Sequence, residues 1–426
     1  MSKSLKDCCD FQEGYVNPSQ KNRDFFGGNI LWLRTLDLVD IYIDDTSQKL
    51  TIAGYKSAGK SAKMFPENSI AINKSGTIIG AVSVLKKPMC GNRAIIDIVV
   101  HDDTSFMYIY YLLKYKHDEV NKKAVGSIQK NLYVSALGTI TLTTDDYEEQ
   151  KKIAKVLQSL DDKIYNNKQI CAELEAMAKL IYDYWFVQFD FPDEHGRPYK
   201  SSGGAMVWNE ALRREIPKGW ECVPFEKCIS SINTGLNPRD NFKLNTGGTI
   251  KYITVKNLTM NGTIDFSSCD MIDEEARIIV HRRSDIQVGD ILFASISPLG
   301  RCHLITEKPV DWDINESVFS VRPNNKIITS IFLYMTFISE SFVKKAERNS
   351  AGSVFKGLRI TELQRLDTIL PPKHVLVAFD KQLKCLFEMN STIFNENQHL
   401  AALRDFLLPL LMNGQVTVRE AEKTAP

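Results

Sequence analysis

Apolar positions along the chain fall into two long seams. From Ile153 they recur at Leu157, Leu160, Ile164, Asn167, Cys171, Leu174, Ala178, Ile181 and Trp185, in steps that alternate between four and three residues. That alternation keeps side chains on one stripe of an α-helix and marks a helix that packs lengthwise against another. No Pro or Gly interrupts the stretch. The pattern returns near the C-terminus, at a constant offset, in Gln382, Leu386, Met389, Ile393, Glu396, Leu400, Leu403, Leu407, Leu410 and Gly414. The central position is polar in both copies, Asn167 and Glu396. One polar residue in an apolar seam costs stability and fixes register. Pro409 is expected to kink the second helix near its end, and Gly414 to cap it.

The repetition extends beyond the helices. "GGNILWLRTLDL" at 27–38 matches "GGTIKYITVKNL" at 247–258, and "AVGSIQKNLYVSAL" at 124–137 matches "SAGSVFKGLRITEL" at 350–363. Two units of this length indicate a duplication, not a solenoid. Each globular segment mixes short strand-like runs (Ile30–Leu33, Ile70–Asn73, Ile95–Val100; Lys251–Val255, Asp290–Ser295, Val318–Val321) with Gly and Asn turns. Each also carries one amphipathic helix, near Phe106–Tyr115 and Ile331–Lys345. The pattern predicts an α+β fold: globular domains at 1–144 and 217–372, long helices at 145–188 and 373–416, a Pro/Gly/Ser-rich linker at 189–216 and a tail at 417–426. Packed antiparallel, the helices would give the duplicated chain pseudo-twofold symmetry.

Composition narrows the class. Of 426 residues, 43% are hydrophobic and 25% charged, enough for large cores. No apolar run approaches the roughly 18–20 residues of a membrane span, and "MSKSLKDCCDF" has no signal-peptide core. The expectation is a cytoplasmic protein without membrane contact. Nine cysteines form no Cys-x-x-Cys pair, so reduced thiols are expected and a zinc site is not. Net charge is +1, but residues 1–144 hold 18 basic against 14 acidic side chains and residues 145–200 hold 8 against 12. A mildly basic lobe beside an acidic helix points to two kinds of partner, or else to ordinary solvated surface.

Few motifs carry chemistry. "GYKSAGKS" at 54–61 satisfies G-x-x-x-x-G-K-S. A phosphate-binding loop needs a buried strand before it and a helix after it, yet Pro66 follows closely and a strand-like run begins at Ile70. The stretch is read as a basic surface loop. No glycine-rich cofactor loop is paired with an Asn/Asp-Pro-Pro-aromatic turn, and no G-x-S-x-G occurs, so catalysis is not expected. The Gly-Ser-x-x-Lys loops are stronger signals: Gly126, Ser127 and Lys130 pair with Gly352, Ser353 and Lys356, with Arg359 close by. Gly allows close backbone approach, Ser donates to phosphate and Lys neutralises it; the alternative is a turn with Ser as helix cap. Lys56, Lys60, Lys63, Arg239, Arg282, Arg283 and Arg301 are further candidates for DNA contact.

In combination, "EEQKKIAKVLQSLDDKI", "YDYWFVQFD", "REIPKGWE", "GSVFKGLRITELQRLDTILPP" and "LRDFLLPLLMNGQV" resemble the specificity subunits of type I restriction-modification systems, over essentially the whole chain. The first half departs from the pattern by lacking the Pro-Lys-Gly-Trp lead-in. The resemblance implies two target-recognition domains, each reading half of a split, asymmetric site in double-stranded DNA. It implies that the long helices dock two methyltransferase subunits, and that motor-nuclease subunits join them. S-adenosylmethionine, ATP and Mg are then expected on those partners and no cofactor on this chain. Two other readings stay open: a coiled-coil adaptor whose duplicated domains bind protein or carbohydrate, and a P-loop nucleotide-binding enzyme.

Overall fold

A computed structural model of the chain describes residues 3–76, 78–126, 130–239, 241–350 and 357–416. It divides into two compact units, Met1–Gln169 with Phe394–Pro426, and Ile170–Ile393. The long helices are Tyr147–Tyr182 and Lys373–Met412, and each contributes one half to each unit.

The first unit holds β1 (Cys9–Glu13), β2 (Phe26–Leu33), β3 (Tyr42–Ile43), β4 (Lys49–Leu50), β5 (Ile70–Asn73), β6 (Val82–Leu85), β7 (Cys90–Gly91) and β8 (Ile95–Val100). They form a sheet of order β1-β8-β5-β6-β3 and a smaller one of order β4-β2-β7. The second unit opens with the hairpin β9 (Met206–Asn209) and β10 (Arg214–Pro217), then β11 (Glu221–Pro224). It continues through β12 (Ile229–Thr234), β13 (Ile250–Ile253), β14 (Asp270–Ile272), β15 (Ile291–Ala294), β16 (Cys302–Leu304), β17 (Trp312–Ile314) and β18 (Val318–Pro323) to β19 (Asp367–Leu370), which pairs with β11. Its sheets run β12-β18-β15-β16 and β14-β13-β17. The duplication therefore repeats the order of both sheets, β1-β8-β5-β6 as β12-β18-β15-β16 and β4-β2-β7 as β14-β13-β17, with β3 added in the first unit, and the small sheets share even their mixed sense. Both β2 and β13 have one antiparallel and one parallel neighbour.

The repeated Gly-Gly pairs show why the sequence repeats there. Gly27 and Gly247 have φ of +83° and +99°, a region that L side chains rarely enter. At Gly28 and Gly248 an added Cβ would sit 2.3 Å from the Leu50 carbonyl oxygen and 2.1 Å from that of Ile272. Each second glycine lets β4 or β14 cross close by.

Helix Phe106–Tyr115 forms as its pattern predicts, with the Ser105 hydroxyl accepting from the Tyr108 N–H, and it buries all of Met107–Leu113. Burying a large apolar side chain stabilises by roughly 1.5–3 kcal/mol, so this one helix anchors the first core. The corresponding stretch Ile331–Lys345 is not one helix. It breaks at Ser339, whose extended backbone ends Ser330–Ile338 and whose hydroxyl caps Glu340–Asn349. The first strand β1 forms without the Pro-Lys-Gly-Trp lead-in, introduced instead by a helical turn, Leu5–Cys8, matching Phe225–Cys228 before β12. The segment read as a linker is also built structure. Phe189 and Phe191 are buried, and their rings pack on Trp220 at 5.5 and 5.0 Å.

Within each unit the helix halves run antiparallel. In the first, Asp161 faces Arg404 and Asn167 faces Glu396. The two polar residues singled out in the seam thus meet: Asn167 Nδ2 donates to Glu396 Oε2 at 2.6 Å and to Asn397 Oδ1 at 2.9 Å. In the second unit Tyr182 and Trp185 pack on Phe379. Gly414 ends the second helix with φ of +72°, and Pro409 sits within the final turn, where the helix continues to Met412.

One seam contact titrates. Glu175 hydrogen-bonds Asn390, and burial pushes its carboxyl up to about 7 from its ordinary value near 4.5, the Asn390 bond acting the other way. Between those two values the folded unit holds a proton that the unfolded chain has released, so this group's contribution to stability falls as pH rises through that window. Glu175→Gln is expected to flatten the decline and to raise second-unit stability at about pH 8 relative to about pH 5. Urea unfolding at the two pH values checks it; an unchanged slope contradicts it.

Candidate nucleic-acid interface

The chain around "GYKSAGKS" is not a phosphate cradle. The two-residue β4 leads into a short helix, Ile52–Lys56, then a single 3-10 turn, Gly59–Ser61, and no helix follows before β5. Both glycines have local reasons. A Cβ at Gly54 would lie 2.3 Å from the Phe25 carbonyl oxygen, and Gly59 has φ of +59°. The segment instead presents Lys56, Lys60 and Lys63 on the surface, all exposed.

Lys60, Ser61 and Lys63 line an open groove with Gln12, Tyr15 and Tyr133. Tyr15 and Tyr133 are 45% and 54% exposed. The groove's one carboxylate is already neutralised: Glu13 takes a 2.7 Å contact from Lys74 Nζ, which holds its pKa below the ordinary range, and accepts from the Tyr15 hydroxyl. Lys60 and Lys63 have no ion pair among the described residues, so the groove carries free positive charge beside exposed rings. That combination suits nucleic acid: ammonium groups neutralise phosphates and aromatic faces meet bases.

The described residues that follow the two Gly-Ser-x-x-Lys motifs are anchored in equivalent ways. Gly126 and Lys130 are exposed, and Ser127 lies outside the described residues. The loop is pinned by a Ser75–Asn131 bridge and by the Leu132 N–H donating to Lys74 O at 2.8 Å. In the second unit Ser353 and Lys356 lie outside the described residues, but the loop's end repeats the anchor: Gly357 bridges Ile296, and the Leu358 N–H donates to Ser295 O at 2.8 Å. Each loop is tied to the segment leaving the central strand, β5 or β15. Tyr133 was not among the candidates chosen by charge. Its counterpart in the second copy is Arg359, by the same offset that relates Lys130 to Lys356, so the repeat itself carried that signal.

The remaining second-unit candidates sit on separate elements. Arg239 is exposed after β12, Arg282 and Arg283 are exposed in the last turn of helix Glu274–Ser284, and Arg359 is exposed at the start of Ile360–Arg365. Arg301 is occupied differently. Its guanidinium donates to the carbonyls of Pro298, Val255 and Ile296, which makes it a brace for the loop after β15.

On the helices, Ile153, Leu157, Leu160, Ile164 and Asn167 are buried, as are Trp185, Leu400 and Leu407. Leu174, Ile181, Leu386, Ile393, Glu396, Leu403 and Leu410 are half-buried. Met389 is the correction: it is 47% exposed, and Phe387 and Asn390 face inward beside it. A strict seven-residue repeat drifts about 20° per heptad on a straight helix. Here the inward stripe follows the hydrophobic core of the second unit, where Tyr334 meets Phe387 at 5.6 Å. The aromatic cluster at Tyr182, Trp185 and Phe186 is consumed inside the second unit, against Phe332, Phe379 and Trp220. A different stripe stays open: Ile170, Met177, Leu180, Tyr184 and Val187 are each more than a third exposed. Phe406, the counterpart of Met177 in the second helix, is 64% exposed.

These features define a class: a tandem of two like α+β units on shared long helices, with a basic, aromatic groove in the first. The family model described as type I restriction modification DNA specificity domain matches residues 1–176 and 217–394, and the chain belongs to that family. The type I restriction enzyme MjaIX specificity subunit of Methanocaldococcus jannaschii is 28% identical over 98% of this chain and 94% of its own. The HindI specificity subunit of Haemophilus influenzae is 23% identical over 66% and 70%. In fold, the chain is similar to the crystal structure of a type I S subunit from M. genitalium, with TM-score 0.52, 15% identity and coverage of 96% and 95%. The chain is a non-catalytic DNA sequence-recognition subunit that works with DNA and the other restriction-modification subunits; the adaptor and P-loop readings are not favoured. Among the described residues no helix is long and apolar enough to cross a membrane.

Proposed function

We propose that each unit reads one half of a split, asymmetric DNA site, and that the helices dock two methyltransferase subunits, to which motor-nuclease subunits add. The observation that carries this is the repeated order of both sheets, which keeps a framework while changing its surface: Tyr133 in one copy, Arg359 in the other. Like frameworks can approach the two halves of a duplex site in like manner, and unlike side chains read different bases. In the first unit the reading surface is the groove of Lys60, Lys63, Tyr15 and Tyr133 with the Gly126–Lys130 loop. In the second it comprises Arg239, Arg282, Arg283, Arg359 and the loop carrying Ser353 and Lys356. Partner docking falls on the exposed stripe from Ile170 to Val187 and on Phe406, because exposed apolar residues at helical spacing mark a larger bundle. Met389 belongs to the same exposed class. S-adenosylmethionine, ATP and Mg act on the partner subunits, in the cytoplasm.

Replacing residues 1–144 with the matching domain of a relative is expected to change one half of the methylated site and leave the other intact. Methylation sequencing of cells carrying the hybrid checks this. A change in both halves would show that the units do not read independently.

A further inference from the structure

The first unit contains a cavity of about 500 Å³ that DNA reading does not use. Its walls come from helix Phe106–Tyr115, the residues between β2 and β3, and the paired long-helix segments. Volumes of this order are typical of small-molecule sites. Most of its charges cancel. Arg404 is bound to Asp161 and Asp405, and Lys168 is bound to Asp40. Lys114 is left over: it has no hydrogen bond or ion pair among the described residues, and its ammonium rests 5.6 Å from the Tyr110 ring centroid. Tyr110 is only 2% exposed, lines the same cavity, and its hydroxyl likewise has no partner among the described residues. The two groups lie four residues apart on one helix face and line the same open space, where each is free to donate to a ligand.

The second unit supplies an internal comparison. Tyr334 and Ile338 hold the places of Tyr110 and Lys114 in the helix Ser330–Ile338, and the cavity beside them is about 60 Å³ and faces Glu175. Where the cation is absent, the space is absent too. The pairing of a wide cavity with an unpaired ammonium is therefore particular to the first unit and not a by-product of the duplicated fold.

We propose that the first-unit cavity is a binding site for a small oxyanion, a phosphate or carboxylate group held by Lys114 Nζ and the Tyr110 hydroxyl. Burial and the like charge of Arg404 hold the Lys114 pKa below its ordinary value, and an anion beside the ammonium would offset both. This inference stands apart from the DNA reading and can fail without it.

The test is calorimetric titration of the full chain with inorganic phosphate, acetate and adenosine monophosphate. Saturable one-to-one binding of at least one probe is expected; phosphate against acetate separates the two ligand chemistries. Lys114→Met is expected to weaken binding about tenfold or more, because it removes a charge-assisted hydrogen bond. It should leave the unfolding midpoint close to that of the parent, since Lys114 is half-buried and makes no hydrogen bond or ion pair among the described residues. Tyr110→Phe should weaken binding by a smaller factor and serves alone if the methionine variant does not fold. Failure of all three probes to bind, or binding unchanged in both variants, overturns the proposal.

Discussion

Arg404→Met is expected to destabilise the first unit by about 3–5 kcal/mol, because it leaves the Asp161 carboxylate buried without its counter-charge. The pair is closely made: Arg404 Nη1 lies 2.6 Å from Asp161 Oδ1, with the two side chains 17% and 2% exposed. Asp161 also accepts from the Tyr111 hydroxyl at 2.8 Å, so the loss would spread into helix Phe106–Tyr115 and the core that it anchors. The repeat offers a rescue. The counterparts of Asp161 and Arg404 in the other copy of the helix pair are Asn390 and Glu175, which solve the same contact with an amide and a carboxyl. Asp161→Asn combined with Arg404→Glu copies that solution and should recover most of the lost stability below about pH 7, where the buried carboxyl can keep its proton. A chain of two units does not unfold in one step. The measurement is therefore hydrogen exchange of the Phe106–Tyr115 amides in the three proteins. A loss under about 1 kcal/mol in the single variant would mean that the pair is no better than a surface bridge.

That contact shows what a repeat in sequence can and cannot reveal. The seams are legible because heptad spacing is a one-dimensional signal, and so is the polar position that recurs in each; the hydrogen bond between Asn167 and Glu396 is what the structure adds. The Gly-Gly pairs are legible because a positive φ at the first glycine and backbone clearance at the second both exclude other residues. Buried polar pairs are not. Ser69 donates to Asp97 in the first unit and Ser320 to Asp290 in the second, at equivalent places with the two residue types exchanged between strands. A residue-by-residue comparison sees two mismatches where the structure keeps one hydrogen bond. Asp97 is paired less completely than Asp290, which Arg322 also binds, and burial pushes its carboxyl up to about 7. The misplacement of Met389 has another origin. A seam drawn as a straight heptad assumes that the partner helix alone decides which face turns inward, whereas the recognition core also pulls on it. The segment 189–216 was misread because Pro, Gly and charge are turn signals, and they say nothing about Phe189 and Phe191 between the turns. Tyr133 carries no charge, so a pattern of basic residues does not reveal it, whereas the offset that pairs it with Arg359 does.

In the groove, phosphate contact and base contact should separate cleanly by substitution. Lys60 and Lys63 are exposed, carry no ion pair among the described residues and flank the two tyrosines. If they neutralise phosphates, replacing both with alanine removes up to two counterion-releasing contacts. The slope of log affinity against log salt should then fall by about 2. Affinity for cognate and unrelated duplexes should drop together, because phosphates carry no sequence. Tyr133→Ala should behave differently. Its ring is more than half exposed and packs in no hydrophobic cluster among the described residues, so the truncation costs little stability. A lost base contact is worth about 1–3 kcal/mol, charged only against the cognate site. The salt slope should stay unchanged, and discrimination should relax at one position in one half-site. Tyr133→Phe then reports whether the hydroxyl or the ring does the reading. Fluorescence anisotropy of the assembled complex on both duplexes, at several salt concentrations, distinguishes the outcomes. An unchanged slope in the double lysine variant would remove the phosphate role, and equal losses on both duplexes for Tyr133→Ala would remove the base-reading one.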